Sequence, residues 1–177
     1  KLASLRNSYY EVDLSGEPLI SKYKKIMSLP SDYSDNAQRV QRIKNFFVDW
    51  IGDKKKQKIL DIGSGLGVFL AKWIENMSSK WDCYALEPDP IAAEHLRSLN
   101  KFTVVQKTYS SSKDLVNFRV VTINKVLEHM DDPLNFLKAV KTSLDIKKSF
   151  IYVEVPDKFT IKHRPSTDNI LGSLHCN

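Results

Sequence analysis

Ile59-Leu60-Asp61-Ile62-Gly63-Ser64-Gly65-Leu66-Gly67-Val68-Phe69-Leu70 decides the fold of this 177-residue chain. Ile59, Leu60 and Ile62 suit a short strand buried on both faces of a parallel sheet. Gly63, Gly65 and Gly67 allow a tight turn in which no Cβ blocks a ligand from the backbone. Val68, Phe69, Leu70, Trp73, Ile74 and Met77 recur at helical spacing, so a packed helix starts where the turn ends. A glycine loop between a strand and a helix is where an open α/β sheet binds nucleotide-like ligands. The dinucleotide fingerprint G-x-G-x-x-G needs Gly or Ala three positions after its second glycine. Val68 stands there instead, and the glycines fall as G-x-G-x-G with Asp61 two residues ahead of the first.

Working outward, strands and helices alternate. Trp81 to Leu86 reads as a second strand, and Pro90 suits the first turn of a helix with Ile91, Ala92, His95, Leu96 and Leu99 on its apolar face. Phe102 to Gln106 is a third strand, Ser110 to Ser112 a loop and Arg119 to Asn124 a fourth strand. Pro133 opens a helix with Leu134, Leu137, Val140 and Leu144 on one side. Phe150 to Val155 is a fifth strand, stopped by Pro156. This alternation predicts right-handed βαβ units and a parallel sheet with helices on both faces. Upstream, Ser34-Asp35-Asn36 reads as a helix start, Val40, Ile43, Phe47, Trp50 and Ile51 as its apolar face, and Gly52 as its end. Residues 1–35 hold four of the seven tyrosines (Tyr9, Tyr10, Tyr23 and Tyr33) and one short helical stretch, Leu19 to Leu29, ahead of Pro30. They read as an N-terminal arm, either packed on the surface or serving as a substrate lid, ahead of a domain spanning 36–177.

Composition narrows the class. A hydrophobic share of 42% and a charged share of 27% are those of a globular domain with a sizeable core. No apolar run approaches the ~20 residues of a membrane span, and no signal segment opens the chain. Cys83 and Cys176 make no disulfide framework, so a reducing, cytoplasmic setting is expected. His163, His175 and Cys176 lack ligand-pair spacing, so no metal is expected. The net charge of +6 is uneven: residues 1–58 hold 12 Lys/Arg against 7 Asp/Glu, and residues 59–177 hold 15 against 14. That basicity can attract an anionic substrate. Without a basic stripe interleaved with aromatics, nucleic acid is not the expected partner.

Two further stretches carry chemistry. Glu87 ends the strand after the glycine loop, 24 residues beyond Gly63. A carboxylate there can accept from both ribose hydroxyls of a nucleotide-like ligand, with Pro88 and Asp89 flanking ribose and base. The segment from Asn124 to Pro133 follows the fourth strand and lies beside the glycine loop. Asn124, with the backbone of Lys125, is a candidate to hold the charged amino-acid end of a cofactor. His129 is either a general base, its ordinary pKa near 6.5 suiting proton transfer, or a residue that caps and orients the next helix together with Glu128.

Together these motifs resemble the class I S-adenosylmethionine-dependent methyltransferases. D-x-G-x-G-x-G is similar to their first motif, V-L-E-H-M-D-D-P at 126–133 to their L-E-H-x-x-D-P segment, and Ile151 to Asp157 to their fifth-strand segment ending in V-P or T-P. The resemblance covers roughly 36–157 with the motifs in order. It implies a Rossmann-like sheet of order 3-2-1-4-5. It also implies S-adenosylmethionine as cofactor and S-adenosylhomocysteine as product. Asp61, Gly63, Ser64, Gly65 and Gly67 would surround the methionine part, Glu87 the ribose, and Tyr109 would lie near the adenine. The implied reaction is in-line attack on a methyl carbon by an O, N or C nucleophile of a small-molecule acceptor. The tail Ser173 to Asn177 resembles part of a substrate-side segment in methyltransferases of sugar and natural-product pathways, which makes a sugar or glycan precursor the expected acceptor. The family sheet ends in a hairpin of strands six and seven, and the 20 residues after Asp157 are too few for it. The expectation is a C-terminally incomplete domain whose fifth-strand edge is covered by a missing segment or a partner. An NAD-type oxidoreductase and a methyltransferase-like module that binds without catalysis are the competing classes.

Overall fold

A computed structural model describes residues 17–48, 56–77, 81–110, 114–145 and 148–156. The expectations for Tyr9, Tyr10, Trp50, Ile51, Gly52, the Ser111–Ser112 loop, His163 and the tail from Ser173 lie outside the described residues.

Five parallel strands form one sheet: β1 (Gln57–Ile62), β2 (Trp81–Leu86), β3 (Thr103–Val105), β4 (Val120–Asn124) and β5 (Phe150–Glu154). Their spatial order is β3-β2-β1-β4-β5, as the resemblance implied. β3 is shorter at both ends than the sequence reading, and β1 begins two residues earlier than Ile59. Ile59 and Leu60 are fully buried from opposite sides of the sheet, each in its own apolar cluster. This is the burial on both faces that a run without alternation predicts.

Each helix begins where its sequence says it should. α2 (Asp35–Val48) is capped by Ser34, whose Oγ accepts from the Ala37 N–H at 3.3 Å. In α4 (Pro90–Ser98), Asp89 accepts from the N–H groups of Ile91 and Ala92, and Pro90 fills the first turn, where its missing N–H costs nothing. α5 (Pro133–Lys141) repeats that arrangement with Asp132 accepting from Asn135 N–H. α3 (Val68–Asn76) starts straight from Gly67. Val40 and Ile43 of α2, Phe69, Leu70 and Trp73 of α3 and Leu96 of α4 cover one face of the sheet. Val140 of α5, with Leu115 and Phe118, covers the other. Burying each such side chain stabilises the fold by about 1.5–3 kcal/mol.

The described part of the arm forms α1 (Leu19–Met27), which ends two residues before the expected Leu29 because the Ser28 hydroxyl donates back to the Lys25 carbonyl. Tyr23 is buried against Val68 and Ala71, with its ring edge-on to His95 at 5.7 Å. The Lys72 ammonium donates to the Met27 carbonyl at 3.0 Å, tying the end of α1 to α3. β5 has one strand neighbour, β4, among the described residues.

Candidate functional site

The chain reverses its winding between β1 and β4, so the loops after these neighbouring strands diverge and leave a crevice at their carboxyl ends. A cleft of about 200 Å³ opens there. Asp61, Gly63, Ser64, Asn124 and Lys125 line it, all expected from the sequence, and Asn36, Arg39, Ile26 and Leu66 join them.

The glycine loop is shaped first by the chain's own packing. Gly63 has φ +72°, and a Cβ there would stand 2.4 Å from Val126 Cγ2. Gly67 has φ +76°, and its Cβ would meet Leu96 Cδ2 at 2.6 Å. At these two positions glycine lets β4's following turn and α4 close on the loop, which corrects the expectation that all three keep a ligand's path open. Gly65 is tied to Glu87 by its N–H, which donates to Oε2 at 2.8 Å. Asp89 N–H donates to the other carboxylate oxygen at 3.0 Å. Glu87 is 7% exposed and burial raises its pKa, against these two backbone donors. It is therefore an oriented acceptor at the edge of the loop rather than a solvated strand end. Pro88 is exposed beyond it.

Asp61 pairs in register with Thr122, and the Thr122 hydroxyl donates to its Oδ1 at 2.6 Å. Asn124 Nδ2 donates to the same oxygen at 3.2 Å. Burial nevertheless pushes the Asp61 carboxyl up to about 7, because these donors recover only part of the hydration it loses. Asn124 has spent its amide N–H on Asp61, and its Oδ1 is buried with no hydrogen-bond partner. A buried acceptor of this kind costs free energy until a donor reaches it. Lys125 holds a left-handed backbone, φ 56°, and its N–H donates to the Glu154 carbonyl at 2.8 Å. Its backbone donor is thus used by β5, and what it can offer a cationic ligand is its carbonyl.

Opposite, on α2, Arg39 is 6% exposed. Its Nε donates to Glu154 Oε2 at 2.8 Å, its Nη2 to Oε1, and its Nη1 to Asn36 Oδ1 at 3.2 Å. Burial opposes the charge on both groups, but their mutual pairing wins: the Arg39 pKa is raised and the Glu154 pKa lowered.

Two expected positions fall elsewhere. Tyr109 turns its hydroxyl onto α5, donating to the Ala139 carbonyl at 3.1 Å and meeting Ser143 Oγ at 2.6 Å, and its ring packs edge-on to Phe136. His129 is half-buried at the end of a 3-10 turn, Leu127–His129, and is not among the residues lining the cleft. The N-cap residue of α5 is Asp132.

The matches to known proteins agree with this fold. A family described as "Methyltransferase domain" matches residues 33–175. The chain belongs to the methyltransferase-domain family. Ubiquinone biosynthesis O-methyltransferase of Aeromonas salmonicida is 27% identical over 145 residues, which are 77% of this chain and 59% of that protein. The plantazolicin methyltransferase BpumL, crystallised with S-adenosylhomocysteine (SAH) and a triazolic substrate analogue, superposes with TM-score 0.60 at 19% identity, over 82% of this chain and 54% of its own. A SAM-dependent methyltransferase of Aquifex aeolicus superposes with TM-score 0.51 at 21% identity, over 80% and 77%. The chain thus spans somewhat over half the length of the O-methyltransferase and of BpumL. Within this methyltransferase domain, Asn36, Arg39, Ile26 and Leu66 are cleft residues that sequence reasoning missed, as is Glu154, the partner of Arg39. Arg39 and Glu154 are 115 positions apart, so no local spacing links them. The packing of α2 on the sheet, with Val40 and Ile43 in one cluster with Val120 and Phe150, brings them together.

Proposed function

We propose that this domain binds S-adenosylmethionine in the cleft between β1 and β4 and directs its methyl group to an O, N or C nucleophile of a small-molecule acceptor. The observation that carries the reading is the pairing of an ionisable, buried Asp61 with the partnerless Asn124 Oδ1 in one cleft. Both are acceptors, and an α-ammonium is a compact donor that suits them. Arg39 lines the same cleft and offers a positive charge to an α-carboxylate. Glu87, held by two backbone donors, keeps lone pairs for a ribose diol. These residues fit the cofactor, and they fit SAH equally well. When bound, S-adenosylmethionine supplies an activated methyl group on a sulfonium, which is its own leaving group.

The protein's remaining task is alignment and exclusion of water. α1 carries Ile26 into the cleft lining, which supports a lid role for the arm 1–35 over a cofactor domain 36–177. Where the acceptor must lose a proton, His129 is the proposed base, on the turn directly after the cleft residues Asn124 and Lys125. A sugar or glycan precursor is the acceptor proposed, with the fifth-strand edge covered by a further segment or a partner. The NAD reading is disfavoured because Val68, at the third-glycine position, is buried against α1.

Calorimetric titration with SAH beside NADH tests the reading. Saturable SAH binding, weakened at least tenfold in Glu87→Ala, is expected, with no NADH binding. NADH binding in preference to SAH would overturn it. SAH binding that supports no methyl transfer to any acceptor would favour the non-catalytic module.

A further inference from the structure

Next to the cofactor cleft lies a second pocket of about 170 Å³, walled by Asp35, Gln38, Arg39, Arg42, Lys125 and Glu154. It shares Arg39 and Lys125 with the cleft, so the two are neighbours. It sits over the carboxyl ends of β4 and β5, since Lys125 follows one strand and Glu154 ends the other. All six wall residues are polar, and the cations outnumber the anions three to two.

The hydrogen bonds decide which charges are still available. Glu154 is fully engaged: Arg39 takes both carboxylate oxygens, and Oε2 also accepts from Arg42 Nη2 at 3.3 Å and from the Tyr152 hydroxyl at 3.0 Å. Asp35 is 76% exposed and stands 3.9 Å from Arg39. Arg39 is committed to Glu154 and Asn36. Among the described residues, Arg42 makes single, long contacts through Nη2, to Glu154 and to the Tyr152 oxygen at 3.3 Å, and its side chain is 56% exposed. Most of its five-donor fork is therefore uncommitted. Lys125 makes no ion pair among the described residues, and its left-handed backbone is pinned to β5. An Arg fork and Lys125 on one polar pocket, with Glu154 already paired and Asp35 largely exposed to solvent, form a receptor for an oxyanion.

We infer that this pocket holds an anionic group, carboxylate or phosphate, of the methyl acceptor, with Arg42 and Lys125 as its donors. The inference rests on the methyltransferase reading, because it makes the neighbouring cleft the source of the methyl group. It narrows the acceptor from any small molecule to one that is negatively charged.

The test titrates the chain, saturated with SAH, with glucuronate, glucose 6-phosphate and glucose. At least one anionic sugar is expected to bind, and glucose at least tenfold more weakly. Glucuronate alone would assign a carboxylate, glucose 6-phosphate alone a phosphate. Arg42→Gln should weaken the anion at least tenfold and leave SAH affinity within twofold. Lys125→Gln serves as a second probe and should also weaken the anion. Binding of glucose as tight as that of the anions overturns the inference, as does anion binding unchanged in both variants, or no anion binding beside intact SAH binding. A wild-type chain that takes no SAH overturns the methyltransferase reading itself and removes the basis of this inference.

Discussion

Asp61→Asn should change both stability and ligand affinity, in opposite directions and in a defined pH window. In the folded chain the Asp61 carboxyl titrates at about 7, against 3.8 when unperturbed. Its folded pKa is raised, so the folded state binds the proton more tightly than the unfolded state. Stability from this group is therefore full below pH 3.8 and is lost as pH rises towards about 7. Across pH 6 to 8 the loss from this one group is on the order of 1 kcal/mol. An asparagine can keep an oxygen facing Thr122 and Asn124 and carries no charge. Urea unfolding of wild type and Asp61→Asn at several pH values isolates the group, because other titrations cancel in the difference. The variant should gain on the order of 1 kcal/mol on wild type between pH 6 and pH 8. For SAH the sign reverses: the ammonium prefers ionised Asp61, so wild-type affinity should fall up to tenfold per pH unit below about 7. At pH 8 the variant should bind SAH about 10- to 100-fold more weakly, the value of a charge-assisted hydrogen bond. Parallel pH profiles for the two proteins would refute this assignment of the titrating group.

Gly63→Ala should destabilise the fold through both the clash with Val126 and the positive φ. Adding Val126→Ala should recover the clash part and leave a backbone cost of about 1 kcal/mol, measured by a double-mutant cycle in urea. Glu154→Ala should cost about 3 kcal/mol by stranding the buried Arg39 guanidinium, and Arg39→Met with Glu154→Leu should recover most of it. The Glu154 carboxylate is held below its ordinary 4.5, so its contribution is present above that pH and disappears in acid.

The glycine turn and the helix starts were legible because each depends on neighbours in sequence, whereas the strand order came from the resemblance to a family. Asp89 and Asp132 cap their helices beside Pro90 and Pro133, a local signal that the chain obeys. Asp61, Gly63, Ser64, Asn124 and Lys125 converge because they follow two adjacent strands. Arg39 was hidden for the opposite reason. On α2 it precedes the core residue Val40, and its partner Glu154 lies on the last described strand. For Tyr109, position after a strand fixes where a residue starts but not where its side chain turns. Its hydroxyl meets Ala139 on α5 and Ser143 just after it. The packing role of Gly63 and Gly67 was not legible, since a sequence shows that a Cβ is missing but not what would have met it.

The most direct measurement is a crystal structure of the chain with SAH. The expected result places the ligand in the cleft between β1 and β4, its ammonium on Asn124 Oδ1 and Asp61 and its ribose hydroxyls on Glu87. A ligand bound elsewhere, with Asn124 Oδ1 still without a donor, would contradict the assignment of this cleft.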